Sequence, residues 1–312
     1  MTDNLRVFCG GSNPALATEI CQHLGMPLGE VTIKRFSNDN IYVQIQENVR
    51  ERDVFVIQSF TTPVSDHILE LLILLDALRS ASARRITAVI PYFSYSRSDK
   101  KDHPRISIAG RLMADLLKTA GANRVLTMNL HADQVHGFFS VPTDHLTAVP
   151  VLAQYFLSQG IENAVAVAPD AGHAKRVGIF AEGMRIPMAF VDKRRLDDLH
   201  VRMGSLIGNV EGKNVIVFDD EIAAASSMVG TVETVLREGA KKVYVGVTHG
   251  VLCGPAMERI SASPIERVVV TNTVAVPPEK RIEKLEVLSV APLFAEAIKR
   301  IHSGESVGAL FA

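Results

Sequence analysis

The sequence predicts an α/β protein made of two tandem units, each a mostly parallel sheet flanked by helices. Short β-branched runs alternate with helical patterns along the whole chain, which is typical of parallel strands joined by helical crossovers. The length of 312 residues exceeds one ordinary α/β domain and fits two domains of about 150 residues each. The pattern of strands also repeats once, about 160 residues further along the chain.

Eight apolar runs are predicted to be buried strands, because nearly every residue in them is apolar and many are β-branched. In chain order they are VFVIQSF, RRITAVIPYF, RVLTMNL, AVAVAPD, PMAFVDK, NVIVFDD, KVYVGVTHG and RVVVTNT. Helices between them are clearest in two places. Ser65 and Asp66 can cap the run HILELLILLDALRSAS, and the segment APLFAEAIKRIHSG has an apolar stripe that ends in basic residues and Gly304.

A duplication relates the two halves of the chain. The stretch VRERDVFVIQSF begins at Val49 and resembles VEGKNVIVFDDE, which begins at Val210, and ARRITAVIPYF likewise resembles AKKVYVGVTHG. Two copies of one α/β unit, joined near residues 146–152, explain the length better than one large sheet. Chance similarity between buried strands is the alternative explanation.

Composition narrows the class of protein. Hydrophobic residues make up 47% and charged residues 21% of the chain, which indicates a globular protein with a real core. A net charge of -1 argues against nucleic acid or an anionic membrane as the partner. The three cysteines form no C-x-x-C pair and are interpreted as structural. We expect a cytoplasmic location, because the sequence has neither a signal-peptide pattern nor an apolar run of ~18 residues.

The candidate functional residues are those that directly follow the predicted strands, because ligands of open parallel sheets bind beyond the carboxyl ends of the strands. Asp219 and Asp220 follow NVIVF, and the small residues Ala223, Ala224, Ala225, Ser226 and Ser227 come next. Adjacent carboxylates can accept hydrogen bonds from vicinal sugar hydroxyls or hold a metal-bound diol, and small residues let backbone N–H groups approach a phosphate. A solvated loop with a helix cap is the alternative.

Two further strand ends in the second half carry polar residues. Asp170 follows AVAVAP and is predicted to lie in a turn before a helix, and Lys193, Arg194 and Arg195 end the run after PMAFVD. A run of charges is usually a solvated surface. At a ligand edge, however, a mobile loop with Lys and Arg suits the charge of a polyphosphate transition state.

In the first half, Arg97 and Asp99 follow ITAVIPYF together with Lys100 and Lys101, and His131 follows RVLTMNL. Both sets are therefore predicted at strand ends. A single histidine is more often structural than a ligand. Beside a phosphate site, a neutral imidazole could still complete a magnesium shell made of water, carboxylate and phosphate oxygens.

In order and spacing, eight segments resemble class I ribose-phosphate pyrophosphokinases: RFSNDN, ITAVIPYFSYSRSDKK, LTMNLHADQVHGFF, APDAG, VDKRR, VFDDEI, THGVLCGPA and SVAPLFAEAIKRIHSGESV. The resemblance covers essentially the whole chain. It implies two phosphoribosyltransferase-type domains, at residues 1–148 and 149–312, and transfer of pyrophosphate from ATP to O1 of ribose 5-phosphate. It also implies Mg²⁺ dependence and a homo-oligomer of the hexamer-of-dimers type, in which a neighbouring subunit completes the ATP site.

The resemblance also implies roles for individual residues. Phe36 and Asn38 resemble the adenine-binding residues given across a subunit boundary, and Arg97 and Asp99 resemble the ATP loop. His131 and Asp170 are similar to the metal site, and Lys193 and Arg195 to the catalytic cations of a flexible loop. Asp219 and Asp220 resemble the pair that holds the ribose hydroxyls, and residues 223–227 are similar to the 5-phosphate loop.

The chain departs from the family pattern in that loop. The family usually continues the acidic pair as D-D-x-x-D-T-x-G-T, but here Ala223, Ala224, Ser226 and Ser227 stand at the Asp, Thr, Gly and Thr positions. Loss of the glycine would matter if the loop needs a positive φ there. Smaller departures are Ser98 for Gln, Asn129 for Asp and His173 for Gly.

Two other functions remain as alternatives. The altered loop raises the alternative of a non-catalytic regulatory paralogue that assembles with an active synthetase. Retention of Lys193, Arg195 and the acidic pair argues against it, because a chain released from catalysis has no physical reason to keep them together. A phosphoribosyltransferase that consumes the product shares the fold, but it would not need two copies of the domain or the RFSNDN and SRSDKK segments.

Overall fold

Residues 4–195 and 201–310 are described here in a computed structural model of the chain; side chains of residues 193–195 and 201–204 lie outside the described part. Two compact units form. One contains residues 1–147, 273–275 and 289–312, and the other contains residues 148–272 and 276–288. Within the described ranges, no helix is long and apolar enough to cross a membrane.

The first unit begins with alternating strands and helices. Its elements are β1 (Leu5–Cys9), α1 (Pro14–Leu24), β2 (Val31–Arg35), β3 (Ile41–Ile45), β4 (Asp53–Ile57), α2 (Val64–Ser80), β5 (Arg85–Ile90), α3 (Ala109–Ala120), β6 (Arg124–Met128) and β7 (Thr143–Leu146). Five strands form a sheet in the order β1-β4-β5-β6-β7, and every neighbouring pair is parallel. Strands β2 and β3 form a separate antiparallel hairpin that packs against α2.

The second unit has a larger sheet. Its elements are α4 (Val149–Ser158), β8 (Ala164–Ala168), α5 (Ala174–Met184), β9 (Met188–Arg195), β10 (Val201–Ile207), β11 (Asn214–Ile222), α6 (Ser226–Arg237), β12 (Lys242–Gly250), α7 (Ala256–Ala262), β13 (Arg267–Thr271) and β14 (Leu285–Leu288). The order is β10-β9-β8-β11-β12-β13-β14. Only β10, at one edge of this described sheet, runs antiparallel to its neighbour.

The last helix, α8 (Ala291–Ser303), belongs to the first unit and packs against α1. A partly buried set of polar contacts holds the carboxyl end of α8 in place. The Asp53 carboxylate accepts hydrogen bonds from Arg85 Nε at 2.8 Å and is 2.7 Å from His302 Nδ1. Arg85 also donates to the carbonyl of Ile301 at 2.9 Å. The helix ends at Gly304, whose φ of 74° is the left-handed conformation that favours glycine.

The predicted fold class is confirmed: each unit has a mostly parallel sheet with helices on its faces. All eight predicted strands are present, because buried parallel strands are apolar throughout. Two details differ. Helix α2 begins at Val64, so Ser65 and Asp66 lie inside its first turn and do not cap it. Strand β9 continues through Arg195, two residues beyond the predicted run PMAFVDK, because it pairs with β10.

Candidate active site

The carboxyl edge of the second sheet brings together three acidic residues of that unit. Strands β8 and β11 are parallel neighbours, with Val167 opposite Val217. Asp170 follows β8 after one proline, and Asp219 and Asp220 lie in the last part of β11. The parallel pairing therefore places three carboxylates at one edge of the sheet, as the rule for parallel sheets predicts.

One imidazole bridges these carboxylates. His173 Nδ1 lies 2.8 Å from Asp170 Oδ1, while its Nε2 lies 3.3 Å from Asp219 Oδ1 and 3.4 Å from Asp220 Oδ1. Asp170 also caps the turn before α5, since its carboxylate accepts a hydrogen bond from the backbone N–H of His173 at 3.2 Å. The cap therefore fixes the histidine backbone as well as its ring.

Burial makes the contacts of this cluster strong. The Asp220 side chain is 1% exposed, and Arg176 Nη1, one turn along α5, lies 3.5 Å from its second oxygen. A carboxylate buried to this degree needs a charged or hydrogen-bonding partner. His173, which directly precedes α5, and Arg176, in the first turn of α5, supply that partner, because residues three apart along a helical turn lie on the same face.

The electrostatics of the cluster follow from its geometry. Burial lowers the pKa of His173, but hydrogen bonds to Asp170 and Asp220 and the charges of the acidic pair outweigh it and raise the pKa to about 10. Burial, together with the nearby charge of Asp220, raises the pKa of Asp219 above its ordinary value. His173 is therefore an imidazolium at neutral pH, held between carboxylates.

The donor atoms of the cluster suit a hard cation. Three carboxylates surround a single histidine, and Mg²⁺ prefers oxygen ligands. Asp170 is one of the two residues predicted as metal ligands from the sequence. The other, His131, lies in the first unit and is described below.

The loop at residues 223–227 connects β11 to α6. Ala225 precedes the helix with a φ of 61°, a left-handed conformation. The carbonyl of Ala223 accepts from the backbone N–H of Cys253 at 3.0 Å, and the carbonyl of Ala224 accepts from Arg259 Nη1 at 2.7 Å. Ser226 and Ser227 open the helix. The positive φ thus falls on Ala225, and the absence of glycine at position 226 does not strain the backbone there.

Lys193 and Arg195, the predicted catalytic cations, lie in β9. Their backbone pairs with β10, with Lys193 opposite Met203 and Arg195 opposite Val201. Their side chains lie outside the described residues.

The first unit places the predicted ATP-loop residues beside the turn that holds His131. Ser94–Arg97 form one turn of 3₁₀ helix, and Ser96 Oγ accepts a hydrogen bond from the backbone N–H of His131 at 3.2 Å. Gln134 donates a hydrogen bond to the Asp99 carboxylate. Ser98, the departure from the family pattern, caps α3 by accepting from the backbone N–H of Ala109 at 3.0 Å. Arg97 is exposed.

Phe36 and Asn38 lie at the tip of the β2–β3 hairpin. The Phe36 ring is 54% exposed and lies 5.7 Å from the Tyr42 ring, measured between centroids. Asn38 stabilises the turn through its side-chain oxygen, which accepts from the backbone N–H of Asn40 at 3.3 Å. An exposed aromatic ring on a hairpin tip is available to a partner or a ligand.

Sequence reasoning missed His173, Arg176 and Arg259 as members of the site. His173 was noted only as a departure from the family pattern. Helical spacing could have found Arg176, because it lies three residues after His173 at the start of a predicted helix. No local signal marks Arg259, which is 35 residues from the loop that it contacts.

The chain is similar to known proteins over nearly its whole length. Residues 5–121 match the N-terminal domain of ribose phosphate pyrophosphokinase, and residues 200–312 match the phosphoribosyl synthetase-associated domain. The ribose-phosphate pyrophosphokinase of Deinococcus radiodurans is 56% identical over 98% of both chains. That of Caldanaerobacter subterraneus is 48% identical over 99% of this chain and 98% of the relative.

A solved structure extends the similarity to the fold. The crystal structure of phosphoribosylpyrophosphate synthetase from Mycobacterium smegmatis is 38% identical, with a TM-score of 0.92 over 97% of this chain and 100% of that chain. Identity at this level over the full length cannot arise from the α/β fold alone. The chain belongs to the ribose-phosphate pyrophosphokinase family, the diphosphotransferases that the sequence resemblance indicated.

Proposed function

We propose that the chain transfers the terminal pyrophosphate of ATP to O1 of ribose 5-phosphate and that the carboxyl edge of β11 holds the sugar phosphate. The observation that carries this proposal is the order of groups at that edge. An acidic pair, Asp219 and Asp220, leads within three residues into a backbone loop and then into a helix of 12 residues. Acceptors for hydroxyl groups and donors for a phosphate thus follow each other along the chain.

The acidic pair would hold the ribose hydroxyls. An ionised carboxylate accepts hydrogen bonds only, and two adjacent carboxylates can accept from two vicinal hydroxyl groups. His173 favours the ionised form of these carboxylates, because it places a positive charge within 3.4 Å of both and so opposes the burial that raises the pKa of Asp219. It therefore supports sugar binding without contributing to the transfer itself.

The 223–227 loop would hold the 5-phosphate. The first N–H groups of a helix have no partner inside the helix, and its amino end carries a partial positive charge. Ser226 and Ser227 stand at that end of α6 and add hydroxyl donors. This binding mode does not need the Asp, Thr and Gly of the usual family pattern.

ATP would bind through residues of the first unit. Arg97 and Asp99 are the proposed phosphate-side residues, and Phe36 and Asn38 the proposed adenine-side residues, given by a second copy of the chain. Exposure of the Phe36 ring supports the latter role. We further propose a homo-oligomer of the hexamer-of-dimers type, a cytoplasmic location and a division of the sequence into domains at 1–148 and 149–312, with α8 of the second domain packed in the first unit.

Magnesium would be held by Asp170 and His131. When bound, it would neutralise negative charge on the transferred phosphates. Lys193 and Arg195 would stabilise the charge that develops as O1 attacks the β-phosphorus and AMP leaves. Phosphoryl transfer depends on positioning and charge more than on a strong base, so no general base is assigned.

The test measures AMP released from ATP, Mg²⁺ and ribose 5-phosphate, together with calorimetry on the same preparation. We expect AMP formation that depends on ribose 5-phosphate, and binding of ribose 5-phosphate much tighter than binding of ribose. Retained ATP binding without measurable ribose 5-phosphate binding would refute the proposal and favour a regulatory paralogue.

Two variants probe the phosphate loop directly. Changing Ser226 and Ser227 together to alanine should weaken ribose 5-phosphate binding by about 1–3 kcal/mol, the scale of lost hydrogen bonds to a charged group. ATP binding should stay nearly unchanged. Ala223→Asp restores the family residue and should change turnover only modestly if the loop works through its backbone. A large gain would show that this carboxylate had been lost rather than replaced.

A further inference from the structure

Arg259 is tied to the 223–227 loop although it lies on another helix. It stands on α7, and its Nη1 donates a hydrogen bond of 2.7 Å to the carbonyl of Ala224. Ala224 immediately precedes Ala225, the residue with the left-handed backbone at the start of α6. The guanidinium therefore holds the peptide group at which the loop turns into the helix.

Two neighbouring carbonyls are held by the same segment. Leu252 donates its backbone N–H to the carbonyl of Ile222, and Cys253 donates its own to the carbonyl of Ala223, each at 3.0 Å. Together with the Arg259 contact, residues 252–259 bind three consecutive carbonyls, those of the last residue of β11 and the first two residues of the loop. This segment thus sets the orientation of three successive peptide groups.

The bound carbonyls also fix the directions of the backbone N–H groups of the loop. In a trans peptide, the carbonyl of one residue and the N–H of the next point in opposite directions. A carbonyl of Ala224 held towards Arg259 therefore directs the N–H of Ala225 away from Arg259. Backbone N–H groups that point away from the supporting segment are the donors that a phosphate at this loop would use.

The side chains of the three alanines of the loop cannot fix the orientation of these peptide groups. Ala223, Ala224 and Ala225 carry only methyl groups, so they have no hydrogen-bonding side chain with which to fix the loop. The conformation at Ala225 is also costly for a residue other than glycine, by about 1–2 kcal/mol. Contacts from outside must therefore stabilise the loop, and the Arg259 bond is one of them.

We infer that Arg259 is a positioning residue for the 5-phosphate: it orients the Ala224–Ala225 peptide group so that the loop presents its N–H donors to the phosphate. This inference rests on the proposed function, in which the loop holds that phosphate. Arg259 acts through the loop and takes no part in the transfer.

The test compares Arg259→Met, which removes the donor and the charge, with Arg259→Lys, which can still donate to the same carbonyl. Arg237→Met is the matched control, because Arg237 is exposed at the far end of α6, about 17 Å along a helix of this length. Calorimetry would give Kd for ribose 5-phosphate and for ATP, and thermal unfolding would report stability.

We expect Arg259→Met to raise Kd and KM for ribose 5-phosphate about tenfold, equivalent to ~1.4 kcal/mol, with kcat, ATP affinity and Tm close to wild type. Arg259→Lys should stay within about threefold of wild type, since an ammonium group is also a donor. The Arg237 variant should behave as wild type.

The outcomes separate this inference from the proposed function. If the wild-type chain binds ribose 5-phosphate no more tightly than ribose, the loop is not a phosphate site and the proposed function fails. If the wild type discriminates but Arg259→Met has an unchanged Kd, only the role of Arg259 is refuted. Equal losses of ribose 5-phosphate and ATP binding would also refute it, because they indicate general damage to the fold.

Discussion

Replacing His173 with asparagine should make the stability of the chain less sensitive to pH. In the folded chain His173 stays protonated up to a pKa of about 10, compared with an ordinary value of 6.5. Between these values the folded chain holds about one more proton than the unfolded chain, so this group lowers the free energy of unfolding by about 1.4 kcal/mol for each rise of one pH unit. Its stabilising effect is complete below the ordinary pKa and is lost as the pH rises through 10.

The magnitude can be worked out for two convenient pH values. Linkage between pH 7 and pH 9 gives a loss of about 2.5 kcal/mol in the wild type that the asparagine variant does not share. For units of this size, that corresponds to about 5–10 °C in Tm. The Tm difference between wild type and His173→Asn should therefore be large at pH 7 and smaller by this amount at pH 9.

The assay is thermal unfolding of the full chain at both pH values in the presence of a metal chelator, so that only the protein's own charges face the carboxylates. His23→Asn is the control, because His23 is exposed on α1, in the first unit. An equal Tm difference at pH 7 and pH 9 would refute the claim that the acidic cluster holds His173 as an imidazolium.

Three further predictions concern catalysis, metal binding and packing. Lys193→Ala should lower kcat about 100-fold or more with little change in stability. Lys241→Ala is the control and should leave kcat unchanged, because Lys241 is an exposed lysine at the opposite edge of the sheet. Equal kcat values for the two variants would show that Lys193 takes no part in the transfer. His131→Ala should raise the Mg²⁺ concentration needed for half-maximal activity, and an unchanged requirement would make His131 structural. Asp53→Ala should lower the free energy of unfolding by about 3 kcal/mol, because it removes the carboxylate that pairs with the partly buried Arg85. Asp76→Ala is the control: it breaks an exposed ion pair and should lower the free energy of unfolding by less than about 1 kcal/mol. Thermal unfolding measures both values.

The strands that the sequence predicted are those in which burial on both faces leaves a continuous apolar run. The strands that it missed are short, polar or at an edge. Strand β7 reads TDHL and β14 reads LEVL. Both lie at the end of a sheet: among the described residues each pairs with one neighbouring strand, and polar side chains are tolerated at such an edge. Strand β10 was missed for a different reason: its antiparallel pairing with β9 leaves no pattern in the local sequence.

The return of α8 to the first unit was also beyond local patterns. The sequence predicted the helix itself from its apolar stripe and Gly304, but a stripe shows only that a helix packs, not where. Its position depends on contacts between residues far apart in the chain, such as Asp53 with His302, which are 249 residues apart. The same limit hid Arg259, whose partner lies on another element.

The two copies of the unit show why the second carries the acidic chemistry. Aligning Val49 with Val210 places Gln58 and Ser59 opposite Asp219 and Asp220. Gln58 and Ser59 are both fully buried. Gln58 accepts from the backbone N–H of Ser12 at 3.0 Å and donates to Glu70 at 2.7 Å, and Ser59 donates to the carbonyl of Thr273 at 2.6 Å.

An amide and a hydroxyl both donate and accept hydrogen bonds, so neighbouring backbone and side-chain groups can satisfy them completely. A carboxylate only accepts, and burying one without a positive charge or several donors costs several kcal/mol. Neighbouring groups of the first copy can therefore satisfy the hydrogen bonding of Gln58 and Ser59 without a nearby cation. The acidic pair of the second copy requires cations such as His173 and Arg176. Asp219 is still partly exposed, so the acidic pair can accept further hydrogen bonds from the hydroxyl groups of a ligand. The first copy has an amide and a hydroxyl at this position and therefore offers no such pair of carboxylates.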